Sequence, residues 1–245
     1  LGFTAGFTGE QIAREVQNMG LRTDFIHINS GFSRINVKLK DYDGTEINGM
    51  GPAIEPNYVE ALHEKLKQLK SGDLLVLAGS IPKSLPAAIY SEILMRLQNR
   101  GILFVVDATK ELLLDALQYK PFLIKPNNHE LGELFHVTLD TREAVVAYAK
   151  KLQEKGAGNV LVSLAGQGAV LVDETGTVHM LAAPRGKLVN AVGAGDSMVA
   201  GFLAGWLEKK DYEHAFRMGV AAGSASAFSA LLATGTEIEQ VYASL

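Results

Sequence analysis

Residues 102–135 read ILFVVDATKELLLDALQYKPFLIKPNNHELGELF, and this stretch decides the fold class. Two apolar runs, at 102–107 and 122–127, are each followed by a segment with the apolar spacing of an amphipathic helix. Short, continuously apolar runs are typical of strands that are covered on both faces of a parallel sheet. The stretch therefore predicts two consecutive strand–helix units.

The same alternation extends outward in both directions along the chain. It predicts further strands at 74–80 and 159–164, and helices at 56–70, 86–99, 109–117, 128–135 and 141–155. A hairpin with its turn at 174–176 follows, and then helices at 194–209, 212–231 and 236–244. We therefore predict an α/β fold with a doubly wound, mostly parallel sheet and helices on both faces.

Near the N-terminus a different pattern predicts an appended β-hairpin. After a helix at 8–19 and a strand at 23–28, polar and apolar residues alternate over 34–40. The polar face carries Arg34, Asn36, Lys38 and Lys40. Asp43-Gly44 is a hairpin turn signal, and residues 45–51 would form the second strand of the hairpin. We expect a small β lid over 31–52 on a single domain spanning 1–245.

The composition limits the class of protein. Of 245 residues, 47% are hydrophobic and 20% charged, and the net charge is −4, which gives no support to nucleic-acid or membrane binding. No apolar run is long enough to span a bilayer. The chain has no cysteine, which fits a reducing compartment. We expect a cytoplasmic globular protein.

The stretch VGAGDSM at 192–198 stands where a long apolar helix begins. The small residues Gly193, Ala194 and Gly195 bring backbone N–H groups together at the positive end of that helix, which suits phosphate oxygens. Asp196 follows in the first turn. One interpretation is that Asp196 only stabilises the helix start. The other is that it acts as a general base beside an anion pocket.

The stretch KPNNHEL at 125–131 follows a predicted strand. Asn127 or Asn128 with Glu130 would form a capping box for the next helix. At the carboxyl edge of a parallel sheet, however, the same groups would meet a ligand. Lys125 would then meet phosphates, and Asn127 and Glu130 would hold Mg²⁺ through water.

Three further stretches offer binding groups. In VSLAGQGAV, Gly166 and Gly168 either form a tight turn or admit a flat ligand, and they are not a dinucleotide fingerprint because no helix follows. In LAGSIP, Ser80 would bind a sugar hydroxyl or belong to an ordinary turn. The helix over 219–235 has a face of small residues, including Ala222 and Ser226, which would pack against a helix or an adenine ring.

Together these stretches resemble the ribokinase-like, PfkB-type sugar kinases. The motifs VGAGDSMVAGF, KPNNHEL, VSLAGQGAV and AGSIP appear in that family's order and spacing over essentially the whole chain. SRINVKL at 33–39 is similar to the lid strand of the bacterial 1-phosphofructokinases within the family. In the family, a segment with a substrate-binding Asp and a GGKGIN motif precedes the position of Leu1, and neither is in this sequence. We expect either that the sequence is incomplete or that this protein does not hold sugar in the usual way.

The resemblance implies a role for each of these positions. It makes Asp196 the catalytic base and the backbone of Gly193, Ala194 and Gly195 the anion hole. It also implies binding sites for ATP, for Mg²⁺ and for the sugar phosphate, the last of these at the lid and Ser80. The implied ATP contacts are Lys125, Asn127, Ser163, Gly166, Gly168, Gly195, Ala222 and Ser226. The implied metal residues are Glu130 and Asn127, and the implied substrate residues are Arg34, Asn36, Lys38, Ser80 and Asp196.

The implied activity is ATP-dependent conversion of fructose 1-phosphate to fructose 1,6-bisphosphate. A tagatose 6-phosphate kinase and a non-catalytic module that binds sugar phosphate or nucleotide are the alternatives. A homodimer through the lid is a further expectation from the resemblance. One departure is Ala191, where the family often has Thr or Ser, so that a hydroxyl contact near the nucleotide is in doubt.

Overall fold

The computed structural model describes residues 1–39 and 46–245, without the side chains of Lys38 and Glu46. Within these ranges it contains ten strands and nine α-helices. In chain order the strands are β1 (Phe3–Ala5), β2 (Ile26–Ile28), β3 (Asn36–Lys38), β4 (Glu46–Asn48), β5 (Leu74–Ala78), β6 (Leu103–Asp107), β7 (Leu123–Ile124), β8 (Asn159–Ser163), β9 (Ala169–Val172) and β10 (Val178–Leu181). The helices are α1 (Gly6–Asn18), α2 (Pro56–Leu66), α3 (Ile89–Leu97), α4 (Lys110–Leu117), α5 (Asn128–Phe135), α6 (Arg142–Glu154), α7 (Ala194–Lys209), α8 (Tyr212–Phe228) and α9 (Gly235–Ala243).

These elements belong to two units, one formed by residues 1–73 with 80–102 and the other by 74–79 with 103–245. The second unit, here called the sheet unit, holds one six-stranded sheet in the order β10-β9-β8-β7-β6-β5. Strands β5 to β8 run parallel, and β9 pairs antiparallel with both β8 and β10.

Helices cover both faces of this sheet. On one face, Leu161 and Leu171 belong to a buried cluster with Phe202 of α7 and with Phe216 and Val220 of α8. Alternate residues of a strand point to opposite faces, so the remaining core residues of β8 point the other way, toward the side where α6 packs against β8 and β9. The predicted α/β fold with a mostly parallel sheet is confirmed.

Helices α7 and α8 lie unusually close together because glycines face the contact. A Cβ atom at Gly201 would lie 2.5 Å from the Met218 carbonyl oxygen, and one at Gly219 would lie 2.9 Å from that of Met198. The small-residue face predicted for α8 is therefore a helix-packing face along this length. This packing fixes where α7 begins.

The other unit, formed by residues 1–73 and 80–102 and here called the lid unit, has its own small core. Strands β1 and β2 pair in parallel, and Ala5, Ile28 and Ile54 are buried together. Strands β3 and β4 pair antiparallel, with Val37 opposite Ile47. The predicted turn at Asp43-Gly44 lies outside the described residues, as does Lys40.

Several elements are shorter than the sequence predicts. The strand expected at 122–127 is limited to Leu123–Ile124, since Pro126 has no N–H to donate to a neighbouring strand. Among the described residues of the strand expected at 34–40, pairing extends over Asn36–Lys38. Helix α8 ends at Phe228 instead of continuing to 231, and the Ala227 carbonyl accepts hydrogen bonds from a neighbouring loop. No helix in the described ranges is long and apolar enough to cross a membrane.

The turn predicted at 174–176 joins β9 to β10 around a buried carboxylate. Asp173 accepts hydrogen bonds from the N–H groups of Thr175 and Thr177, at 2.9 and 3.1 Å, and lies 2.9 Å from His179 Nε2. Burial by itself would raise the pKa of Asp173, but the hydrogen bonds from Thr175, His179 and Thr177 outweigh it and lower the pKa. The ionised carboxylate therefore holds this turn together.

We predict that Asp173→Ala lowers the free energy of unfolding by about 2–4 kcal/mol at pH 7, because several hydrogen bonds to a buried, charged acceptor are lost together. The folded carboxyl binds its proton less tightly than the unfolded one. Its stabilisation is therefore present above the ordinary pKa and is lost as pH falls through the lowered value. Denaturant unfolding at pH 7 and at pH 3 measures the loss of stability and its dependence on pH. Asp115→Ala, at an exposed position, is the control. An equal loss at the two pH values would contradict this role.

Candidate active site

Two oppositely charged side chains meet at the carboxyl edge of the sheet. Strands β6 and β7 are parallel with Val106 opposite Ile124, so Asp107 and Lys125 are neighbours at the next position. The Lys125 Nζ atom lies 3.3 Å from Asp107 Oδ1. Lys125 is only 8% exposed. An ammonium group with this little water around it requires a partner, and Asp107 supplies it.

The same ammonium group lies against the first turn of α7. A Cβ atom placed on Gly195 would be 3.3 Å from Lys125 Nζ and 3.5 Å from its Cε. Gly195 thus leaves space for the lysine side chain. A cation at the N-terminus of a helix is opposed by the helix dipole, whereas an anion there is favoured. Lys125 and the helix end thus place positive charge at the same point of the sheet edge.

The backbone at the start of α7 is arranged to present N–H groups. Gly193 takes a left-handed conformation (φ = 79°) as the N-cap residue. The Ala194 N–H bonds to the Ala191 carbonyl, and the Ser197 N–H bonds to the Gly193 carbonyl at 2.8 Å. Between them, the N–H groups of Gly195 and Asp196 belong to the first turn, where helix geometry provides no intrahelical acceptor. This is the geometry of an anion pocket.

Three carboxylates surround this pocket. Asp196 is exposed in the first turn of α7. Burial raises the pKa of Asp107, the Lys125 ammonium opposes that rise, and the negative charges of Asp196 and Glu130 add to it. Asp196 and Glu130 are therefore both close enough to Asp107 to act on its carboxyl group. Asp107 is not among the residues predicted from the sequence, although its position at the end of a predicted parallel strand was a usable signal.

Asn127 and Glu130 form the capping box predicted for α5. The Asn127 side chain accepts from the Glu130 N–H, and Glu130 Oε2 accepts from the Asn127 N–H, both at 2.8 Å. The structural interpretation of this motif is confirmed. Among the described residues, no group of three or more His, Asp or Glu side chains is arranged to hold a metal ion by itself.

A cavity of about 730 Å³ adjoins the start of α7. This volume is typical of sites for small molecules and cofactors. The residues of the predicted ATP site and anion hole that line it are Asn127, Ser163, Gly166, Gly168, Ala194 and Gly195. The cavity also contains Ala191, so its methyl group lies where a hydroxyl was expected from the family.

The two glycines of the predicted turn have different roles. Gly168 has φ = 99°, and a Cβ atom there would lie 2.0 Å from the Leu181 carbonyl oxygen of β10. Gly166 faces open space, with no atom within 4 Å of a Cβ position. The Arg142 guanidinium donates to the Gln167 carbonyl and so fixes the turn from outside. Gly168 shapes the turn, and Gly166 keeps the cavity open.

Ala222 and Ser226 do not line this cavity. A Cβ atom at Gly201 would lie 2.6 Å from Ala222 Cβ, which places Ala222 in the contact with α7. Ser226 Oγ donates to Ser197 Oγ at 2.9 Å and accepts from the Ala233 N–H. The α8 residues that line the cavity are Val220, Gly223, Ser224, Ala227 and Phe228. One position along a helix is a rotation of about 100°, which is why a sequence-based choice missed the lining face.

The segment after β10, at 183–188, forms a wall that the sequence analysis missed. Gly186 is in contact with the Phe228 ring, since a Cβ atom there would lie 2.3 Å from ring carbons. Arg185 and Leu188 also line the cavity. This wall is largely apolar and suits a flat ring. Its sequence, APRGKL, carries no recognisable motif.

The predicted substrate residues Arg34, Asn36 and Ser80 belong to the lid unit. Their side chains are exposed. The Lys38 side chain lies outside the described part of the chain. Arg34 borders a depression of about 540 Å³ together with Phe7, Gln11 and Arg14.

Comparison with known proteins identifies relatives over nearly the whole chain. A family model described as "pfkB family carbohydrate kinase" matches residues 1–238. A 1-phosphofructokinase of Bacillus subtilis is 48% identical over 98% of this chain and 79% of its own length. A D-tagatose-1-phosphate kinase of Bacillus licheniformis is 34% identical, with the same shares covered. The phosphofructokinase-2 of Escherichia coli, solved with substrates and products, superposes with a TM-score of 0.90 at 29% identity, covering 98% of this chain and 80% of that one.

The glycine turn at 165–168 yields a prediction on stability. Gly168→Ala should lower the free energy of unfolding by about 2–4 kcal/mol, because it combines a positive φ with a clash against backbone. Gly166→Ala is the matched control and should change it by less than about 1 kcal/mol, since its Cβ position is open. Denaturant unfolding of both variants measures the difference, and equal losses would refute this division of roles.

Proposed function

This chain belongs to the pfkB family of carbohydrate kinases, and from that premise we propose that it uses ATP to convert fructose 1-phosphate to fructose 1,6-bisphosphate. The observation that carries the proposal is the meeting of Lys125, the N-terminus of α7 and Asp196 beside a cavity of nucleotide size. The 48% identical relative bears the name 1-phosphofructokinase, which supports this acceptor.

In this proposal the 730 Å³ cavity holds the nucleotide. Its base lies against the apolar wall near Gly186 and Phe228, and its phosphates extend toward Lys125 and Gly195. The Lys125 ammonium and the α7 N–H groups stabilise negative charge on the phosphoryl oxygens. Ser163, Gly166 and Gly168 complete the lining. Ala222 and Ser226 contact α7 and would support the site without lining the cavity.

Asp196 is the proposed general base. Its carboxylate takes the proton of the acceptor hydroxyl as that oxygen bonds to the γ-phosphorus. The bond from the γ-phosphorus to the bridging oxygen breaks at the same time, and ADP leaves with the electron pair. Phosphoryl transfer depends mainly on positioning and charge stabilisation, so this arrangement requires no covalent enzyme intermediate.

Mg²⁺ is part of the proposal, and the donor groups present fit it. Mg²⁺ prefers oxygen ligands and in nucleotide sites uses one or two carboxylates, phosphates and water. Glu130 and Asn127 would hold it near the sheet edge, where the Glu130 charge acts on Asp107. When bound, it would neutralise charge on the phosphates. The capping box leaves Glu130 with a second carboxylate oxygen for this purpose.

For the sugar phosphate we propose the lid-unit residues Arg34, Asn36, Lys38 and Ser80. Arg34 would bind phosphate oxygens in a forked geometry and Lys38 would add a point charge.

The apolar face of the lid, which includes Ile35 and Ile47, is exposed and supports the proposed homodimer. A solved relative, the E. coli phosphofructokinase-2, has a tetrameric inhibited form. Light scattering that detects only monomers would contradict the dimer.

A panel of acceptors tests the proposed substrate. We expect ADP release with fructose 1-phosphate to exceed that with tagatose 6-phosphate or tagatose 1-phosphate by at least about tenfold in kcat/KM, a modest difference for isomeric substrates. Tagatose 1-phosphate is included because of the 34% identical relative. Faster turnover of either tagatose phosphate would replace the proposed acceptor. Calorimetric binding of ATP with no turnover of any acceptor would favour the non-catalytic module.

The role of Asp196 is tested by Asp196→Asn, which keeps the shape but removes the base. We expect kcat to fall about 10²–10⁴-fold while ATP affinity, measured by calorimetry, is retained. Glu143→Gln is the matched control, because Glu143 is an exposed carboxylate in the first turn of α6. Near-normal turnover of Asp196→Asn would leave Asp196 with only its role at the helix start.

A further inference from the structure

We propose that Asp107 is a positioning residue for phosphate binding: it holds the Lys125 ammonium at the N-terminus of α7, so that one cation and the helix N–H groups converge on the same anion. This inference rests on the proposed binding of ATP in the sheet unit. It adds to that proposal a residue that does not itself touch the phosphates.

The sheet register places the pair. Val105 and Leu123 are neighbours in register, and both belong to the buried cluster under α7 and α8. Two residues further along each strand, Asp107 and Lys125 therefore point to that same face. There the strands end and the first turn of α7 lies above them, as the 3.3 Å approach of Lys125 Nζ to the Gly195 Cβ position shows.

Electrostatics explains why the lysine requires a holder. An ammonium group at the positive end of α7 is disfavoured by the helix dipole, and 8% exposure provides little water to compensate. The flexible stem of lysine would allow Nζ to move away from Gly195. The Asp107 carboxylate, 3.3 Å from Nζ and itself mostly buried at 19% side-chain exposure, opposes that movement. An arriving phosphate then finds the cation in place, without the cost of ordering it.

A simpler view of Asp107 makes the opposite prediction. A carboxylate close to a phosphate site repels the phosphate, so its removal should tighten ATP binding if it acts only through its own charge. If it acts through Lys125, removal should weaken binding, because ATP must recover the displaced ammonium. The sign of the effect therefore separates the two roles.

The test is a double-mutant cycle on ATP affinity, measured by calorimetry without any sugar phosphate. Lys125→Met should weaken ATP binding roughly 10–100-fold, the loss of a charge-assisted contact. Asp107→Ala should weaken ATP binding roughly 3–10-fold. In the Asp107→Ala background, the further loss of ATP affinity on Lys125→Met should be smaller than in wild type by that same factor of roughly 3–10. Asp107→Asn, which keeps an oxygen acceptor for the ammonium, should lie between Asp107→Ala and wild type.

Asp115→Asn is the control, because it removes one exposed carboxylate from α4 of the same unit and should leave ATP affinity unchanged. Thermal unfolding identifies any variant that fails to fold. If Asp107→Ala is such a variant, the cycle is built with Asp107→Asn. Tighter ATP binding by the Asp107 variants, or effects of Asp107 and Lys125 that are fully additive, would overturn the inference.

The outcome also separates this inference from the proposed function. A chain that shows the coupled loss of ATP affinity but phosphorylates no ketohexose phosphate keeps the role of Asp107 and loses the proposed acceptor. A chain that phosphorylates fructose 1-phosphate but shows additive effects keeps the activity and loses the positioning role. A wild-type chain that binds no ATP would overturn both.

Discussion

The close packing of α7 against α8 and the sheet is the constraint on which the site depends. Gly201 and Gly219 allow the two helix backbones to approach, and Phe202 and Phe216 anchor the pair on the apolar face of the strands. This fixes the first turn of α7 above the carboxyl ends of β6 and β7. The anion pocket is thus a consequence of core packing at one end of a helix, and Lys125 can reach it because Gly195 carries no side chain.

The same groups stabilise local structure and are placed to bind a ligand. Asn127 and Glu130 begin α5 through a reciprocal capping box, and this arrangement holds Glu130 at the sheet edge. Asp196 is favoured in the first turn of α7 by the helix dipole, and it lies beside the N–H groups that would receive a phosphate. At helix N-termini above parallel strands, a capping role and a binding role are therefore compatible. The presence of a cap is no argument against function.

Sequence periodicity was sufficient for the architecture and for the residues that lie within recognisable motifs. The strand–helix alternation predicted the mostly parallel sheet, and the helix predicted at 194–209 coincides with α7. Membership of the family, expected from the motifs, is confirmed by the match over residues 1–238. Both signals are local in the chain, which is why a single sequence reveals them.

What the sequence did not reveal depends on contacts between distant residues. Asp107 becomes informative only when β6 and β7 are in register, because its partner Lys125 lies in another strand–helix unit. The choice of Ala222 and Ser226 was limited by helix phase: α8 has small residues on more than one face, and composition does not indicate which face meets α7. Gly168 is required by the Leu181 carbonyl, which belongs to a strand after the turn.

In the proposed complex with ATP, the charges of the site favour a divalent cation at the phosphates. At the sheet edge, Asp107, Glu130 and Asp196 contribute up to three negative charges, against the Lys125 ammonium and about half a positive charge from the helix end. The sum of these charges is therefore negative before any nucleotide binds, and a triphosphate would add further negative charge. Helix N–H groups and a single lysine do not offset that repulsion. A hard cation held by the carboxylate oxygens would do so, and for this reason the carboxylates and the anion pocket are best understood as parts of one site.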